Sequence, residues 1–277
     1  MFTFPESPMN SVDTAISIFV LTSTCVMLVA ERIPWLNRET GVMVYSKFAH
    51  QTKCTTLVSS RTGLVLSYTP ALIIALVQLL LLPLAYNNSS SSNNEPTTMT
   101  MMMPALLAVH FGKRVFECIF VHKYSGSMPW TTPPTIASVY VLGVLIQLHA
   151  AASRVNQDGQ PSGIQTILGL LFYVGGLVGN GYHHWLLAQL RNDSSSSKVY
   201  FVPSGGLFEF VAAPHYLFEI IEWVGVAMVA GHIFSLGLCA PIIAYLGLRA
   251  DGQREWNRQK FKDDYPPERM RLVPFVY

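Results

Sequence analysis

Charged residues are scarce in this sequence of 277 residues. Asp, Glu, Lys and Arg together make up 12% of it, whereas an average soluble domain carries roughly 25%. Hydrophobic residues make up 51%. The formal net charge is only +2, which is too small to favour a nucleic-acid partner. The composition therefore argues against a soluble enzyme and against a nucleic-acid-binding protein, and it indicates a chain that lies in a membrane.

Cysteine is scarce as well, and the four cysteines lie far apart. No CxxC pair or regular spacing joins them, so the sequence supports neither a disulfide framework nor a zinc site. Most of them lie in apolar segments, where a cysteine packs as a small hydrophobic residue. We therefore expect buried side chains without chemistry. The four are Cys25, Cys54, Cys118 and Cys239.

Motifs of several common enzyme classes are missing. No GxGxxG follows a strand-like segment, which excludes a Rossmann site, and no GxSxG indicates a serine hydrolase. His183–His184 is the only adjacent histidine pair, whereas di-iron membrane enzymes need several His-rich boxes, so we expect no metal. Four glycines inside one apolar segment predict close helix packing instead of a nucleotide loop. They are Gly175, Gly176, Gly179 and Gly181.

Long apolar runs are abundant. A helix needs roughly 20 apolar residues to cross a bilayer. The run at 216–248 is too long for one crossing, and Gly231 and His232 offer a break in it. Only helices and closed barrels satisfy the backbone in lipid, and period-two alternation is absent, so the sequence predicts an all-α polytopic membrane protein with seven transmembrane helices. The crossings are expected at about 14–30, 65–86, 102–121, 136–152, 164–190 and in the two parts of 216–248.

The basic residues predict how these helices are oriented. With a lumenal N-terminus and seven crossings, eight Lys and Arg residues fall in cytosolic loops and seven in the tail from Arg249 onward. Only Arg154 falls in a lumenal loop, and Lys113 and Arg114 lie within a helix. This is the positive-inside pattern. The eight loop residues are Arg32, Arg38, Lys47, Lys53, Arg61, Lys123, Arg191 and Lys198.

Polar side chains inside the apolar segments cost several kcal/mol unless they face a cavity or a partner. They form four groups, and spacings of three and four residues place the members of two groups on one side of a helix. For the two glutamates, one turn apart inside an apolar run, a functional pocket is the favoured interpretation. The alternative for all four groups is hydrogen bonding between helices and long side chains that reach the membrane surface, and it is favoured for Arg191 taken alone. The groups are His110, Lys113, Arg114 and Glu117; Asn180, His183, His184 and Arg191; Tyr216, Glu219 and Glu222; and residues 249–256.

These residue types suit a phosphorylated cofactor that carries ribose. Arginine binds phosphate through two parallel hydrogen bonds. Carboxylates can accept hydrogen bonds from ribose hydroxyls or from a carboxamide. The residues by themselves therefore predict a nucleotide-type cofactor held among helices.

Three segments in the second half of the chain carry a family resemblance. They read GNGYHHWLLAQLR at 179–191, YFVPSGGLFEFVAAPHYLFEIIEWVG at 200–225, and LGLRA followed by W, KF, DYP, R and LVPF at 246–275. With these motifs in this order, the sequence resembles the steroid 5α-reductase family. Upstream, HFGKRVFECIFVHKYSGSMP at 110–129 is similar to the very-long-chain enoyl-CoA reductases of the same superfamily. Before residue 100 only RTGLVLSYTP at 61–70 is similar.

The resemblance implies seven transmembrane helices around a cofactor pocket that opens to the cytosol, in the endoplasmic reticulum membrane. It implies NADPH as hydride donor and reduction of the C=C bond of an α,β-unsaturated carbonyl lipid within the bilayer. The acceptor would be a 3-oxo-4-ene steroid, a trans-2-enoyl-CoA or a polyprenal-type lipid. The whole chain, 1–277, would be one transmembrane domain with its catalytic core at 101–277 and the family's C-terminal domain at 130–277.

The resemblance also implies where the cofactor binds. Gln253 replaces the family's usual histidine and Asn257 its usual tyrosine, while His184 and His215 stand where steroid reductases often have an acid and an asparagine. All four can still form hydrogen bonds. The expected cofactor-binding residues are Arg114, Asn180, His184, Arg191, Tyr200, His215, Glu219, Glu222, Arg249, Gln253 and Asn257.

The substrate end departs further from the family. Steroid reductases hold the enone carbonyl between a glutamate and a tyrosine, and these positions hold Tyr68 and Phe111 here. If the two walls face each other, Tyr68 is the carbonyl donor; alternatively it is an anchor at the membrane interface. Lys113 and Tyr216, at positions that matter in the enoyl-CoA branch, are the other candidate catalytic donors. The alternatives for them are an ion pair with Glu117 and a core aromatic.

Two other functions stay open. Membrane methyltransferases that use S-adenosylmethionine share a related C-terminal helical core and an Arg-containing tail, although the segment at 205–225 argues against them. A non-catalytic lipid-binding protein could also keep the fold, and the changes at Phe111, Gln253 and Asn257 leave room for it.

Overall fold

The computed structural model describes residues 2, 11–32, 56–87, 98–124, 126–156, 162–191 and 200–276. Within these ranges the chain is mainly α-helical, as the apolar runs predict, and each expected crossing coincides with one helix. The helices are α1 (Ser11–Arg32), α2 (Ser60–Asn87), α3 (Thr98–Phe116), α4 (Thr132–Asn156), α5 (Gly163–Gln189), α6 (Pro214–Ala230) and α7 (Ile233–Phe261).

Short elements complete the fold. A π-helix, Glu117–Val121, directly continues α3, and 3-10 helices lie at Gly206–Glu209 and Lys262–Asp264. Strands β1 (Leu57–Ser59) and β2 (Ser127–Pro129) pair antiparallel and tie the start of α2 to the segment after the π-helix. The sequence did not predict this ladder, because three-residue strands are too short to show alternation.

Four segments of the described chain are long and apolar enough to cross a membrane, which identifies an integral membrane protein. They are Ser60–Leu84, Thr132–Ser153, Gly163–Gln189 and Ile233–Asp264.

The other three helices fall short of that criterion. The part of α1 whose side chains are described, Ser11–Cys25, has fewer than 18 residues. Helix α6 has only 17 residues, and α3 carries Lys113 and Arg114 in its last turn. Seven crossings therefore remain a prediction. Part of the basic-residue pattern behind the predicted orientation, at Arg38, Lys47, Lys53 and Lys198, lies outside the described residues.

The predicted break in the last apolar run is confirmed. Helix α6 ends at Ala230, and Gly231 follows with a positive φ of 61°, a conformation that suits glycine. His232 then caps α7, because its side chain accepts a hydrogen bond from the backbone N–H of Phe234. The turn lets α6 and α7 pack against each other.

Close packing of α5 against α6 confirms the prediction for two of the four glycines. A Cβ at Gly176 would overlap the backbone of α6, and one at Gly179 would overlap the ring of Phe218. A Cβ at Gly175 would instead face open space, and one at Gly181 would meet only the side chains of Lys113 and Glu117. The absence of two β-carbons brings α6 close enough for its polar side chains to meet those of α5.

The main hydrophobic core lies among α2, α3, α4, α5 and α6 and includes Tyr68, Phe111 and Trp223. A smaller cluster joins α1 to α4 and α7 through residues such as Ile16, Ile146 and Phe234.

Two cysteines are buried as predicted, Cys118 and Cys239, whereas Cys25 is exposed. Cys54 lies outside the described residues.

Candidate active site

A cavity of about 280 Å³ lies where α2, α3, α5, α6 and α7 approach one another, and the segments 122–124 and 200–212 complete its wall. Pockets that hold small ligands span roughly 300–1,000 Å³, so this volume is near the lower end of that range. Ten of the residues predicted from the sequence line it. They are Tyr68, Arg114, His184, Arg191, Tyr200, His215, Tyr216, Arg249, Gln253 and Asn257.

The charge of the wall has one sign. Four lining residues are Lys or Arg, and among the described residues that form the wall none is Asp or Glu. Such a cleft raises the local concentration of an anionic ligand. The four are Arg114, Lys123, Arg191 and Arg249.

Three buried nitrogen atoms of the wall have no hydrogen-bond partner among the described residues. They are Nε of Arg114, Nδ1 of His215 and Nδ2 of Asn257. Buried polar groups in native proteins are nearly always paired. Three such atoms around one cationic cavity indicate that a ligand with hydrogen-bonding groups completes the site.

Glu117 holds the basic side chains of α3 in place. Its Oε1 lies 2.7 Å from Nζ of Lys113, and its Oε2 lies 3.1 Å from Nη1 of Arg114 and 3.1 Å from Nδ1 of His184. Only 3% of Glu117 is exposed. The sequence indicated an ion pair with Lys113 but missed that Glu117 also binds the two cavity residues. The three-residue spacing from Arg114 was the available signal for that contact, whereas the contact with His184 joins segments 67 residues apart.

Lys113 and Asn180 lie behind the cavity wall. The side-chain oxygen of Asn180 accepts a hydrogen bond from Lys113, and its Nδ2 donates to the carbonyl of His215 at 2.9 Å. These contacts join α3, α5 and α6. Lys113 also forms the ion pair with Glu117 that was its alternative interpretation. A catalytic role for Lys113 remains a prediction.

Tyr68 lies at the α2 end of the cavity and is bound to Arg114. Nη2 of Arg114 donates a hydrogen bond of 2.8 Å to the Tyr68 hydroxyl, and the guanidinium carbon lies 5.0 Å from the centre of the tyrosine ring. Tyr68 is 4% exposed. This burial argues against the alternative interpretation, an anchor at the membrane interface, and the role of Tyr68 as carbonyl donor remains a prediction.

Phe111 does not line the cavity. It is 1% exposed, and its ring meets the ring of Tyr140 edge-on with centroids 5.5 Å apart. Tyr68 stacks on the same Tyr140 at 5.1 Å. The Tyr68 and Phe111 positions therefore meet at a third aromatic residue, Tyr140, which the sequence reading did not single out.

The two glutamates of α6 lie outside the cavity wall. Oε1 of Glu222 lies 2.7 Å from Nδ1 of His110, and both side chains are buried. Glu219 is also buried and interacts electrostatically with Arg114. The grouping of His110 with Lys113, Arg114 and Glu117 by spacing is thus only partly right, since His110 pairs with α6 instead.

His122 and Tyr124 are cavity residues that the sequence reading missed. Nδ1 of His122 lies 2.7 Å from the Tyr124 hydroxyl, which donates to Sγ of Cys118 at 3.3 Å. Burial, with the nearby charges of His184 and Arg114, lowers the pKa of His122 to about 2, and burial raises the pKa of Tyr124 well above its usual range. Both side chains are therefore neutral at physiological pH.

Glu117, His122 and His184 have the residue types of a metal site. One donor atom of each lies within 4.8 Å of the others. Nη1 of Arg114, however, contacts both Oε2 of Glu117 and Nδ1 of His184, at 3.1 and 3.4 Å, so a divalent cation would lie against a guanidinium. His183 bonds to backbone groups at both ring nitrogens. These contacts favour a hydrogen-bonded network over metal binding.

The far end of the cavity is formed by α7 and the segment after α5. Nε2 of Gln253 donates a hydrogen bond of 2.7 Å to Oδ1 of Asn257, so the two departures from the family pattern contact each other. The ring of Tyr200 lies 5.0 Å from Trp256 and 5.5 Å from the guanidinium of Arg191. Aromatic and basic groups thus alternate at this end, an arrangement that accommodates phosphate and stacked rings.

Comparison with known proteins gives one family-model match. The model described as 3-oxo-5-alpha-steroid 4-dehydrogenase matches residues 135–277.

Individual relatives match over shorter stretches. A steroid 5-alpha-reductase of Gossypium hirsutum is 38% identical over 40% of this chain and 42% of its own length. The 3-oxo-5-alpha-steroid 4-dehydrogenase 2 of Homo sapiens is 34% identical over 49% of this chain and 52% of its own length. A very-long-chain enoyl-CoA reductase of Dictyostelium discoideum is 30% identical over 61% of this chain and 55% of its own length. The matches thus span about half the length of these relatives.

Proposed function

The chain belongs to the 3-oxo-5-alpha-steroid 4-dehydrogenase family, and from this premise we propose that it is a membrane reductase. In this proposal it uses NADPH to reduce the C=C bond of an α,β-unsaturated carbonyl lipid. The proposed acceptor is a 3-oxo-4-ene steroid, a trans-2-enoyl-CoA or a polyprenal-type lipid. The proposed location is the endoplasmic reticulum membrane, with the cavity open to the cytosol.

The observation that carries this proposal is the wall with four basic residues and no described acid. NADPH has a diphosphate and a 2′-phosphate, and arginine pairs with phosphate through two parallel hydrogen bonds. Arg191 and Arg249 lie on the side of the cavity where Tyr200 and Trp256 offer aromatic rings. We propose that these residues hold the phosphates and the adenosine half.

The buried nitrogens of the wall fit the remaining polar groups of such a ligand. Nε of Arg114, Nδ1 of His215 and Nδ2 of Asn257 have no described partner, and a carboxamide or ribose offers both acceptors and donors. Of the predicted cofactor-binding residues, Asn180, Glu219 and Glu222 lie behind the wall. We assign them the role of holding α5, α6 and α3 in position.

The proposed reaction needs a hydrogen-bond donor at the acceptor's carbonyl oxygen. When bound, reduced nicotinamide supplies the hydride that adds to the β-carbon of the enone. Negative charge then develops on the carbonyl oxygen, and a donor placed there is worth a few kcal/mol. Because the Tyr68 oxygen accepts from Arg114, the phenolic hydrogen points away from Arg114. We propose that Tyr68 donates it to the carbonyl, with Tyr216 as the other donor candidate in the cavity wall.

A lipid acceptor is supported by where Tyr68 lies. Tyr68 belongs to Ser60–Leu84, one of the segments long and apolar enough to cross a membrane. Leu64, one turn earlier, also lines the cavity, so this end adjoins apolar surface. An apolar molecule within the bilayer could present its carbonyl here.

One assay tests the proposal directly. The purified protein is given NADPH and, in turn, a 3-oxo-4-ene steroid, a long-chain trans-2-enoyl-CoA and a polyprenal, and NADPH oxidation is followed with product analysis. We expect turnover with one of the three. Thermal stability is measured in parallel, since a bound ligand stabilises the folded state. Stabilisation by S-adenosylmethionine and not by NADPH would favour a methyltransferase. NADPH binding without turnover on any acceptor would favour a non-catalytic lipid-binding protein.

A further inference from the structure

Tyr140 of α4 is the residue at which the aromatic side chains beside the cavity meet. Its ring stacks on Tyr68 with centroids 5.1 Å apart and an interplanar angle of 29°. The edge of Phe111 packs against the same ring at 5.5 Å and 68°. Tyr140 therefore places a second phenol directly beside that of the cavity residue Tyr68, next to position 111, which provides no hydroxyl.

Tyr140 shares a polar neighbour, Arg114, with Tyr68. Its hydroxyl interacts electrostatically with Tyr68, Glu219, Tyr245 and Arg114. Arg114 in turn interacts with both phenols. The guanidinium that binds the Tyr68 hydroxyl thus also acts electrostatically on the phenol of Tyr140.

The hydroxyl of Tyr140 makes no hydrogen bond to any residue in the described ranges. The side chain is half-buried and packs against the main hydrophobic core. A tyrosine hydroxyl in such a place usually finds a partner. The unused donor next to Tyr68 points to a ligand that brings a hydrogen-bond acceptor to both phenols.

We propose that Tyr140 is a second catalytic donor, which binds the carbonyl oxygen of the acceptor lipid together with Tyr68. This inference rests on the proposed function. In the reaction a hydride bonds to the β-carbon, the C=C electron pair shifts towards the carbonyl, and the oxygen carries the charge of an enolate. Both phenols donate hydrogen bonds to that oxygen and keep their protons, while the α-carbon takes its proton from solvent.

The proposal explains how the site functions with phenylalanine at position 111. Because the ring of Phe111 contacts Tyr140 edge-on, a hydroxyl added to Phe111 would enter the same group of phenols. A phenol lost at 140 should therefore be replaceable at 111. If Tyr140 served only to pack its ring, Tyr140→Phe would keep that packing. A hydroxyl added at position 111 would then have no lost activity to restore.

The first test compares Tyr140→Phe with Tyr140→Phe/Phe111→Tyr on the acceptor that the wild type reduces. We expect Tyr140→Phe to lower kcat by about a hundredfold with KM much less affected. The double variant should recover at least a tenth of wild-type turnover. Tyr173→Phe is the control, because Tyr173 belongs to the hydrophobic core that Tyr140 packs against, but its phenol donates a hydrogen bond of 2.7 Å to the carbonyl of Leu106. Its kcat should stay near wild type.

A second measurement holds even if Tyr140→Phe does not fold. The carbonyl stretch of a bound saturated product, labelled with ¹³C, is recorded in the wild type and in Tyr68→Phe. We expect Tyr68→Phe to keep a lowered stretching frequency, because Tyr140 still donates. A frequency equal to that of the unbonded carbonyl in Tyr68→Phe overturns the proposal.

The outcomes separate this inference from the proposed function. If the wild type reduces an acceptor and Tyr140→Phe has the same kcat, the role of Tyr140 is overturned and the proposed function stands. Absence of NADPH oxidation by the wild type with all three acceptors overturns the proposed function and this inference with it. A loss in Tyr140→Phe that Phe111→Tyr does not restore overturns the proposal that the two positions can supply the same carbonyl donor.

Discussion

Nη2 of Arg114 donates a 2.8 Å hydrogen bond to the hydroxyl of Tyr68, which joins α3 to α2 inside the main core. The same guanidinium lies 3.1 Å from Glu117 through its Nη1. Arg114 is therefore held from two sides, and it fixes the direction of the Tyr68 phenol. This relationship supports the assignment of Tyr68 as carbonyl donor over an interfacial role.

Tyr68→Phe tests that assignment, because it removes the hydroxyl and keeps the ring that stacks on Tyr140. Loss of one hydrogen bond made in the transition state should lower turnover by roughly a hundredfold, with NADPH and substrate binding changed much less. Tyr182→Phe, on an exposed tyrosine, is the control. Near-wild-type turnover of a folded, NADPH-binding Tyr68→Phe would move the donor role to Tyr216 or Lys113.

Arg249→Ala tests the choice of cofactor. If Arg249 meets the 2′-phosphate, its loss should weaken binding of NADPH by about tenfold or more while NADH binding changes little, since NADH lacks that charge. Affinities can be measured by fluorescence of the reduced nicotinamide. Arg258→Ala is the matched control, because Arg258 lies on the same helix but is exposed and outside the cavity wall. Equal affinity of the wild type for both cofactors would contradict the idea.

Glu117→Gln should destabilise the protein. The carboxylate lies within 3.1 Å of Lys113, Arg114 and His184, and its neutral replacement leaves buried cations without their anion. Breaking a buried pair in this way costs about 3 kcal/mol. Thermal unfolding in detergent should show a Tm lower by several degrees, whereas the exposed Glu268→Gln should unfold like the wild type. An unchanged Tm in Glu117→Gln would show that the ion pairs add no stability.

The pH dependence of stability should report on His122, which lies outside the segments that can cross a membrane. Burial, then the charges of His184 and Arg114, lower its folded-state pKa to about 2, below its usual value of about 6.5. Below about pH 6.5 the unfolded state therefore binds more protons than the folded state. The stability that buried, neutral His122 contributes is complete above about pH 6.5 and declines as the pH falls. Between pH 7.5 and 5.5 the Tm of the wild type should fall more than that of His122→Asn. If the Tm of both proteins falls by the same amount, the pH dependence comes from groups other than His122.

Topology is open to a protease test. The loop pattern of Lys and Arg predicts a lumenal N-terminus and a cytosolic C-terminus. A tag placed after residue 277 should be cleaved in sealed microsomes, and one placed before residue 1 should be protected until detergent is added. Protection of the C-terminal tag would place the cavity on the other side of the membrane.

The sequence determined the class of this protein. Hydropathy is a local property, so the helical runs, the break at Gly231 and His232, and the close packing at Gly176 could be predicted before any contact was known. Ordered motifs also indicated the family that the family model confirms. Four segments of the described chain are long and apolar enough to cross a membrane, so seven crossings remain a prediction.

Only the tertiary structure decided which polar side chains meet. Spacing grouped His110 with Glu117, yet His110 pairs with Glu222 of α6, 112 residues away. It also gave no reason to select Tyr140, whose place beside Tyr68 and Phe111 depends on how α2, α3 and α4 pack. The physical reason is that helical periodicity fixes the direction in which a side chain leaves its own axis. Which partner it finds there depends on the packing of helices that are distant in sequence.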